Sequence, residues 1–311
     1  MTSRREIIAG IGGFAAWGMA GCVPLVGSDA GRLKASMQAI EAATGGAFGM
    51  AFHDARSGRS FAHRGAERFA MASTFKASLA ALALAAEREG RIDLSERTRW
   101  TEADLVPYRP FAEARLAKGA TWRELAEAAQ VLSDNTAANL LLARLDGPAA
   151  LTAFWRGTGD PVSRLDRNEP DLNRVPPGDP RDTTTPQAMA RTLHRLLFSA
   201  KAPLAAEQQA ELRGWMTATE TGAKRVRAGL PSGWETGDKT GTSGAWPDAP
   251  FVRGDIGYAI APGGAPVTFA VYHRSPVRAG PITAERADAG FARIGSVLGD
   301  WMRPLGADAP V

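Results

Sequence analysis

Apolar positions recur in three successive regimes along the chain. From Gly31 to Thr44 they repeat with helical period, whereas Phe48 to Ala62 alternates about Ser57-Gly58-Arg59 and predicts a hairpin. A long helical block follows. It starts at Ser73 and runs to Arg88 through the Ala/Leu-rich stretch Ala77-Ser78-Leu79-Ala80-Ala81-Leu82, and continues over Thr121–Leu132, Thr136–Leu145, Pro148–Gly157 and Thr185–Phe198. Beyond Met216 the pattern returns to strands at Trp234–Thr242, Gly254–Ala261 and Val267–Arg274. The amphipathic stretch Ala284–Met302 predicts a closing helix.

This order places the two ends of the chain in one strand-bearing lobe, residues 28–65 and 217–305, around a helical lobe, residues 66–216. Inside the latter, Asp160–Thr184 is rich in Pro, Asp, Asn and Arg. It is too long and irregular for a simple connector, and loops of that length are usually functional or disordered. A cleft between two lobes is a usual place for a site.

Composition narrows the class. The 311 residues are 44% hydrophobic, which suits a globular enzyme, and the 34 Gly and 20 Pro build no low-complexity tract. The net charge of +4 is dispersed. The densest basic run, Lys224-Arg225-Val226-Arg227, is short and lacks aromatic neighbours, so no nucleic-acid partner is expected. No partner protein is implied, and a monomer is expected.

The single cysteine, Cys22, excludes an internal disulfide. Residues 1–27 read as an export signal: Arg4-Arg5 suit the twin-arginine route, and the apolar run Ala9–Ala20 is too short to span a bilayer. Met19-Ala20-Gly21-Cys22 is either a lipobox, making Cys22 a lipidated anchor, or a junction in which the cysteine is a filler. The expected location is the periplasm.

Four short motifs carry the candidate chemistry. In Ser73-Thr74-Phe75-Lys76 a spacing of three puts hydroxyl and ammonium on one helix face, although a serine at a helix start is most often a cap. Ser133-Asp134-Asn135 lies between two helices, where capping again competes. Lys239-Thr240-Gly241 lies in a strand whose glycine permits close backbone approach. The long loop supplies Glu169-Pro170-Asp171-Leu172-Asn173. His53, His63, His194 and His273 are isolated, so neither a metal site nor any cofactor is expected.

Taken jointly, these motifs resemble those of the class A serine β-lactamases. The similarity extends to Leu105-Val106-Pro107-Tyr108, to Pro177–Pro186 and to Gly229–Trp234, and covers residues 30 to 305. It implies an α/β fold of two lobes, one all-helical and one with an antiparallel sheet of about five strands flanked by N- and C-terminal helices. It also implies the catalytic roles. Ser73 is the nucleophile, its backbone N–H and that of Thr242 form the oxyanion hole, and Glu169 with Asn173 holds the hydrolytic water. Either Lys76 or Glu169 is the base for acylation.

By the same resemblance Ser133 relays a proton to the leaving nitrogen and Asn135 binds the substrate's side-chain amide. Lys239 and Thr240 hold the ring carboxylate, and Gly241 lets the substrate approach the strand closely. Arg225 resembles a second carboxylate anchor or is a solvated arginine; Tyr108 resembles an aromatic wall of the cleft or is packing. An Arg167–Asp182 ion pair would pin the loop ends. Ala72 and Ser243 stand where some carbapenem-hydrolysing relatives carry bridged cysteines, and the Ser243–Arg253 stretch departs from the commoner spacing. Penicillin-binding DD-peptidases and β-lactam sensor domains share the serine motifs, and Glu169 with Asn173 argues against both.

Overall fold

The computed structural model describes residues 27–276 and 282–303; the segment carrying Arg4, Arg5 and Cys22 lies outside them. The chain opens with α1 (Gly27–Thr44), β1 (Ala47–His53), β2 (Ser60–His63) and the two-residue β3 (Phe69–Ala70). The helical block comprises α2 (Phe75–Arg88), α3 (Pro110–Ala114), α4 (Trp122–Val131), α5 (Asn135–Arg144), α6 (Gly147–Gly157), α7 (Pro186–Leu197) and α8 (Ala206–Thr217). Within it lie the short strands β4 (Arg97–Thr98), β5 (Ala120–Thr121) and β6 (Thr183–Thr184). A one-turn helix α9 (Val226–Gly229) then leads to β7 (Glu235–Thr242), β8 (Val252–Ile260), β9 (Pro266–Arg274) and α10 (Ala284–Met302).

The five long strands form one antiparallel sheet in the order β2-β1-β9-β8-β7, so the two chain ends are interleaved at its centre. Both faces are covered, which is why β1 and β9 read as nearly continuous apolar runs. On one face Phe48, Met50, Phe52, Phe269 and Val271 meet Phe291, Ile294, Leu298 and Trp301 of α10 and Met37 and Ile40 of α1. On the other, Ile256, Tyr258, Ala270 and Tyr272 merge with the helical core. Helices α7 and α8, although within residues 66–216, pack against β9, β1 and β7, so the two lobes share a core.

At the middle of that core is α2, buried continuously from Phe75 to Ala86. Its alanines let neighbouring helices approach on every side, and only a nearly featureless apolar helix can occupy such a position. The hairpin turns where expected, with Gly58 at φ 73° and the Asp54 carboxylate accepting from the N–H groups of Arg56 and Ser57. Helix α8 was not predicted by the apolar pattern. Only Leu212, Trp215 and Met216 of its residues are buried, too few to impose a periodic stripe.

Candidate active site

Each motif is presented where a regular element begins or ends. Ser73 sits in a single 3₁₀ turn, Ala72–Thr74, directly before α2, and no side chain caps either helix. Its hydroxyl is therefore not consumed by capping. At the second motif the cap is Asp134, which accepts from Ala137 N and also from the N–H groups of Phe111 and Ala112. That leaves Ser133, at φ 61°, to turn its side chain into the cleft.

Four groups converge on Lys76, whose side chain is fully buried. Nζ donates to Ser73 Oγ at 2.9 Å, to Ser133 O at 2.9 Å and to Asn135 Oδ1, and lies 3.1 Å from Glu169 Oε1. Ser73 Oγ in turn donates to Glu169 Oε1 at 3.2 Å. The second carboxylate oxygen of Glu169 accepts from Asn173 Nδ2 at 2.6 Å. The nucleophile thus stands between an ammonium and a carboxylate, both buried. Burial holds the Lys76 ammonium below its ordinary pKa, and Glu169 opposes that shift.

Glu169 owes its position to the loop. Asn139 of α5 clamps its backbone from both sides, donating to Glu169 O at 2.9 Å and accepting from Glu169 N at 3.0 Å. The Glu169–Pro170 bond is cis. The loop ends are fastened by Arg167 Nε to Asp182 Oδ2 at 2.6 Å, and Asp182 Oδ1 accepts from the N–H groups of Asp166 and Arg167. Met71 N donates to Asp182 O and β3 pairs with β6, so the loop exit is tied to residues immediately before Ser73.

The opposite wall is the end of β7. Gly241 runs so close to the Ser73 turn that a side chain there would meet Met71 O at 2.7 Å and Ser73 N at 3.1 Å. Lys239 is fully buried and donates to Ser133 Oγ at 2.9 Å and to Thr240 O at 2.8 Å, keeping one N–H in reserve. Burial, reinforced by the nearby Lys76, pushes its pKa well below that of an ordinary lysine. While both are protonated, the two lysines make a concentrated positive pole under the cleft.

Arg225 is buried and largely committed to the protein: Nη1 donates to Gly241 O at 2.9 Å and Gly254 O at 2.6 Å, and Nη2 to Thr242 Oγ1 at 2.7 Å. It stitches β7 to β8 while still lining the cleft, so it is not a solvated arginine. Tyr108 is 58% exposed at φ 63°, and its carbonyl accepts from Asn135 N. Together Ser73, Tyr108, Ser133, Asn135, Asn173, Arg225, Thr240, Gly241 and Thr242 line a cavity of about 350 Å³. Lys76, Glu169 and Lys239 lie behind that surface.

Two contributors escaped the motif reading. Asn139 lies one helical turn beyond Asn135, the only hint in the sequence. Thr221 lines the same cavity and shares a 2.5 Å hydroxyl contact with Thr240, with no local signal. Among the described residues no cluster of His, Cys, Asp and Glu could hold a metal, and no helix is long and apolar enough to cross a membrane. His273 is buried against the Phe48 ring and bonded to Gly45 O.

A serine held between a buried lysine and a buried carboxylate, facing a cationic strand end, defines an active-serine enzyme. The model of the Beta-lactamase enzyme family matches residues 32–302. Beta-lactamase L2 of Stenotrophomonas maltophilia is 41% identical over 312 residues, 96% of this chain and 98% of the relative. The carbapenem-hydrolyzing beta-lactamase KPC of Klebsiella oxytoca is 42% identical over 237 residues, 76% of this chain and 79% of the relative. Among solved structures, the class A β-lactamase reconstructed for the last common ancestor of Gram-negative bacteria superposes with a TM-score of 0.81 at 45% identity, over 87% of this chain and 99% of that one. The chain belongs to the class A serine β-lactamases.

Proposed function

We propose that this enzyme hydrolyses the β-lactam amide of penicillins and cephalosporins through an acyl-enzyme on Ser73, and so confers resistance to them. The observation that carries the reading is the position of Glu169 Oε1, within 3.2 Å of Ser73 Oγ and 3.1 Å of Lys76 Nζ, with Asn173 on its other oxygen. Ser73 Oγ attacks the lactam carbonyl and its proton passes to Glu169 or to Lys76, both in contact with it. Charge on the carbonyl oxygen is met by the N–H groups of Ser73 and Thr242.

The C–N bond then breaks, the ring nitrogen takes its proton from Ser133 Oγ, and the proton first lost by Ser73 passes from Glu169 or Lys76 to Ser133 Oγ, leaving Glu169 an ionised carboxylate for the second step. Because Lys239 donates to that oxygen, the hydroxyl hydrogen is available to the nitrogen. Water held by Glu169 and Asn173 gives a proton to Glu169 and attacks the ester carbonyl. Ser73 leaves with its proton restored. Lys239, Thr240 and Arg225 attract the ring carboxylate, and Asn135 meets the side-chain amide.

The test is turnover of a chromogenic cephalosporin by the purified protein with chelator present. Stoichiometric colour followed by a stable adduct would instead mark a sensor. We further propose that the enzyme acts in the periplasm, on the strength of the charged and apolar pattern of residues 1–27, and that it does so as a monomer. Cell fractionation and sedimentation test the two parts. Mass spectrometry of the wild type and Cys22→Ala decides whether a lipid is attached.

A further inference from the structure

A second chamber, of about 490 Å³, adjoins the catalytic cavity and shares two of its walls, Tyr108 and Thr221; Arg109, Pro110, Glu113, Leu132 and Glu220 complete it. The shared threonine touches Thr240, which stands at the carboxylate pole of the cleft. In a cephalosporin the carbon beside the carboxylate-bearing carbon carries the variable arm, on the far side of the ring from the acylamino group. With the carboxylate at Thr240, the shared walls Tyr108 and Thr221 leave such an arm a path into the chamber.

Charge in the chamber is unbalanced. Arg109 is matched by Glu113, 3.4 Å away. Glu220 is exposed, and among the described residues no basic side chain forms a salt bridge with it. Its backbone is fixed, since its N–H donates to Val131 O, and the preceding Thr219 donates to Asp238 O at 2.7 Å and accepts from Gln130 Nε2 at 3.0 Å. A carboxylate on an anchored segment, facing Pro110 and Leu132, fits a cationic arm with a flat apolar body.

We propose that Glu220 is a specificity-determining residue, selecting β-lactams whose arm beside the ring carboxylate bears a positive charge, such as a pyridinium. The inference rests on the reading of the cleft as a β-lactam hydrolase. Attraction at an exposed carboxylate is modest and screened by salt. Selection therefore takes the form of a severalfold preference, not an absolute one.

The test compares kcat/KM for two cephalosporins with the same acylamino group, one with a pyridiniummethyl arm and one with a neutral acetoxymethyl arm, at low and high salt. For the wild type the cationic-to-neutral ratio should fall as salt rises. In Glu220→Gln the low-salt ratio should drop about three- to tenfold, mainly through KM, and Glu220→Lys should invert it. Glu207→Gln makes the same change in net charge on the exposed face of α8 and should leave the ratio unmoved. A ratio indifferent to Glu220, or a preference for an anionic arm abolished by Arg109→Ala, overturns the proposal while turnover of the neutral compound sustains the hydrolase reading. Turnover of neither compound overturns both.

Discussion

Lys76 and Glu169 form a buried ion pair, Nζ to Oε1 3.1 Å, and Ser73 Oγ bonds to both partners. A base so placed can serve two steps, but only the second needs a water activated from the Asn173 side. Glu169→Ala is expected to slow deacylation by about 10²- to 10⁴-fold, the usual worth of a general base. Penicillin treatment should then leave a persistent acyl adduct on Ser73, visible by mass spectrometry. Release from the variant at the wild-type rate would remove Glu169 from deacylation.

Lys239 is held well below an ordinary lysine by burial and by Lys76. As pH rises the ammonium is lost early, and with it the attraction proposed for the substrate carboxylate. We expect KM to climb on the alkaline side before an exposed lysine would titrate. Lys239→Arg, which stays protonated, should move that limb to higher pH. Lys239→Ala should lower kcat/KM about ten- to a hundredfold, the scale of one charge-assisted hydrogen bond. An alkaline limb identical in the arginine variant would sink the assignment; steady-state pH profiles decide.

How much of this was legible in the sequence follows from how local each determinant is. Ser73 and Lys76 share a helical turn, and Ser133 to Asn135 and Lys239 to Gly241 are contiguous, so they stand out as short motifs whose roles came from the family resemblance. The capping alternative could not be dismissed from the sequence, because it depends on the φ of Ser133 and on Asp134 taking the cap. Asn139 and Thr221 act only through tertiary contacts, with Glu169 and Thr240. Strands of two residues, such as β3 and β6, carry no period at all. Helix α8 buries too little to show one.

The loop is expected to depend on its buried tie much more than on its exposed one. Asp182 is fully buried, and burial raises its pKa despite the guanidinium and the backbone N–H groups that oppose the shift. Arg167→Ala leaves that carboxylate without its cation and should cost about 3 kcal/mol. Arg174 and Asp248, 2.6 Å apart, join the same loop to the β7–β8 connection with both side chains about half exposed. Asp248→Ala should cost much less than Arg167→Ala, because the pair is screened by solvent. Urea denaturation measures both, and equal losses would contradict the distinction.

Behind the positive pole, Asp238 and Asp255 lie on neighbouring strands, fully buried, each with one oxygen lacking a protein partner. Burial raises both, Asp238 to about 6 even with Arg227 beside it, and Asp255 well above an ordinary carboxylate. The native state therefore binds protons that the unfolded chain has already released. By linkage, stability falls as pH rises from the unfolded carboxylate range, about 4, through about 6. Asp255→Asn keeps the shape, can still accept from Val226 N, and removes the charge. It should match the wild type near pH 4 and exceed it by about 1–3 kcal/mol at pH 8. Asp238→Asn instead strips Arg227 of a partner 2.9 Å away and should be destabilised at pH 8. Denaturation at the two pH values separates the cases: a difference for Asp255→Asn that does not change with pH would show that its carboxylate is not held protonated.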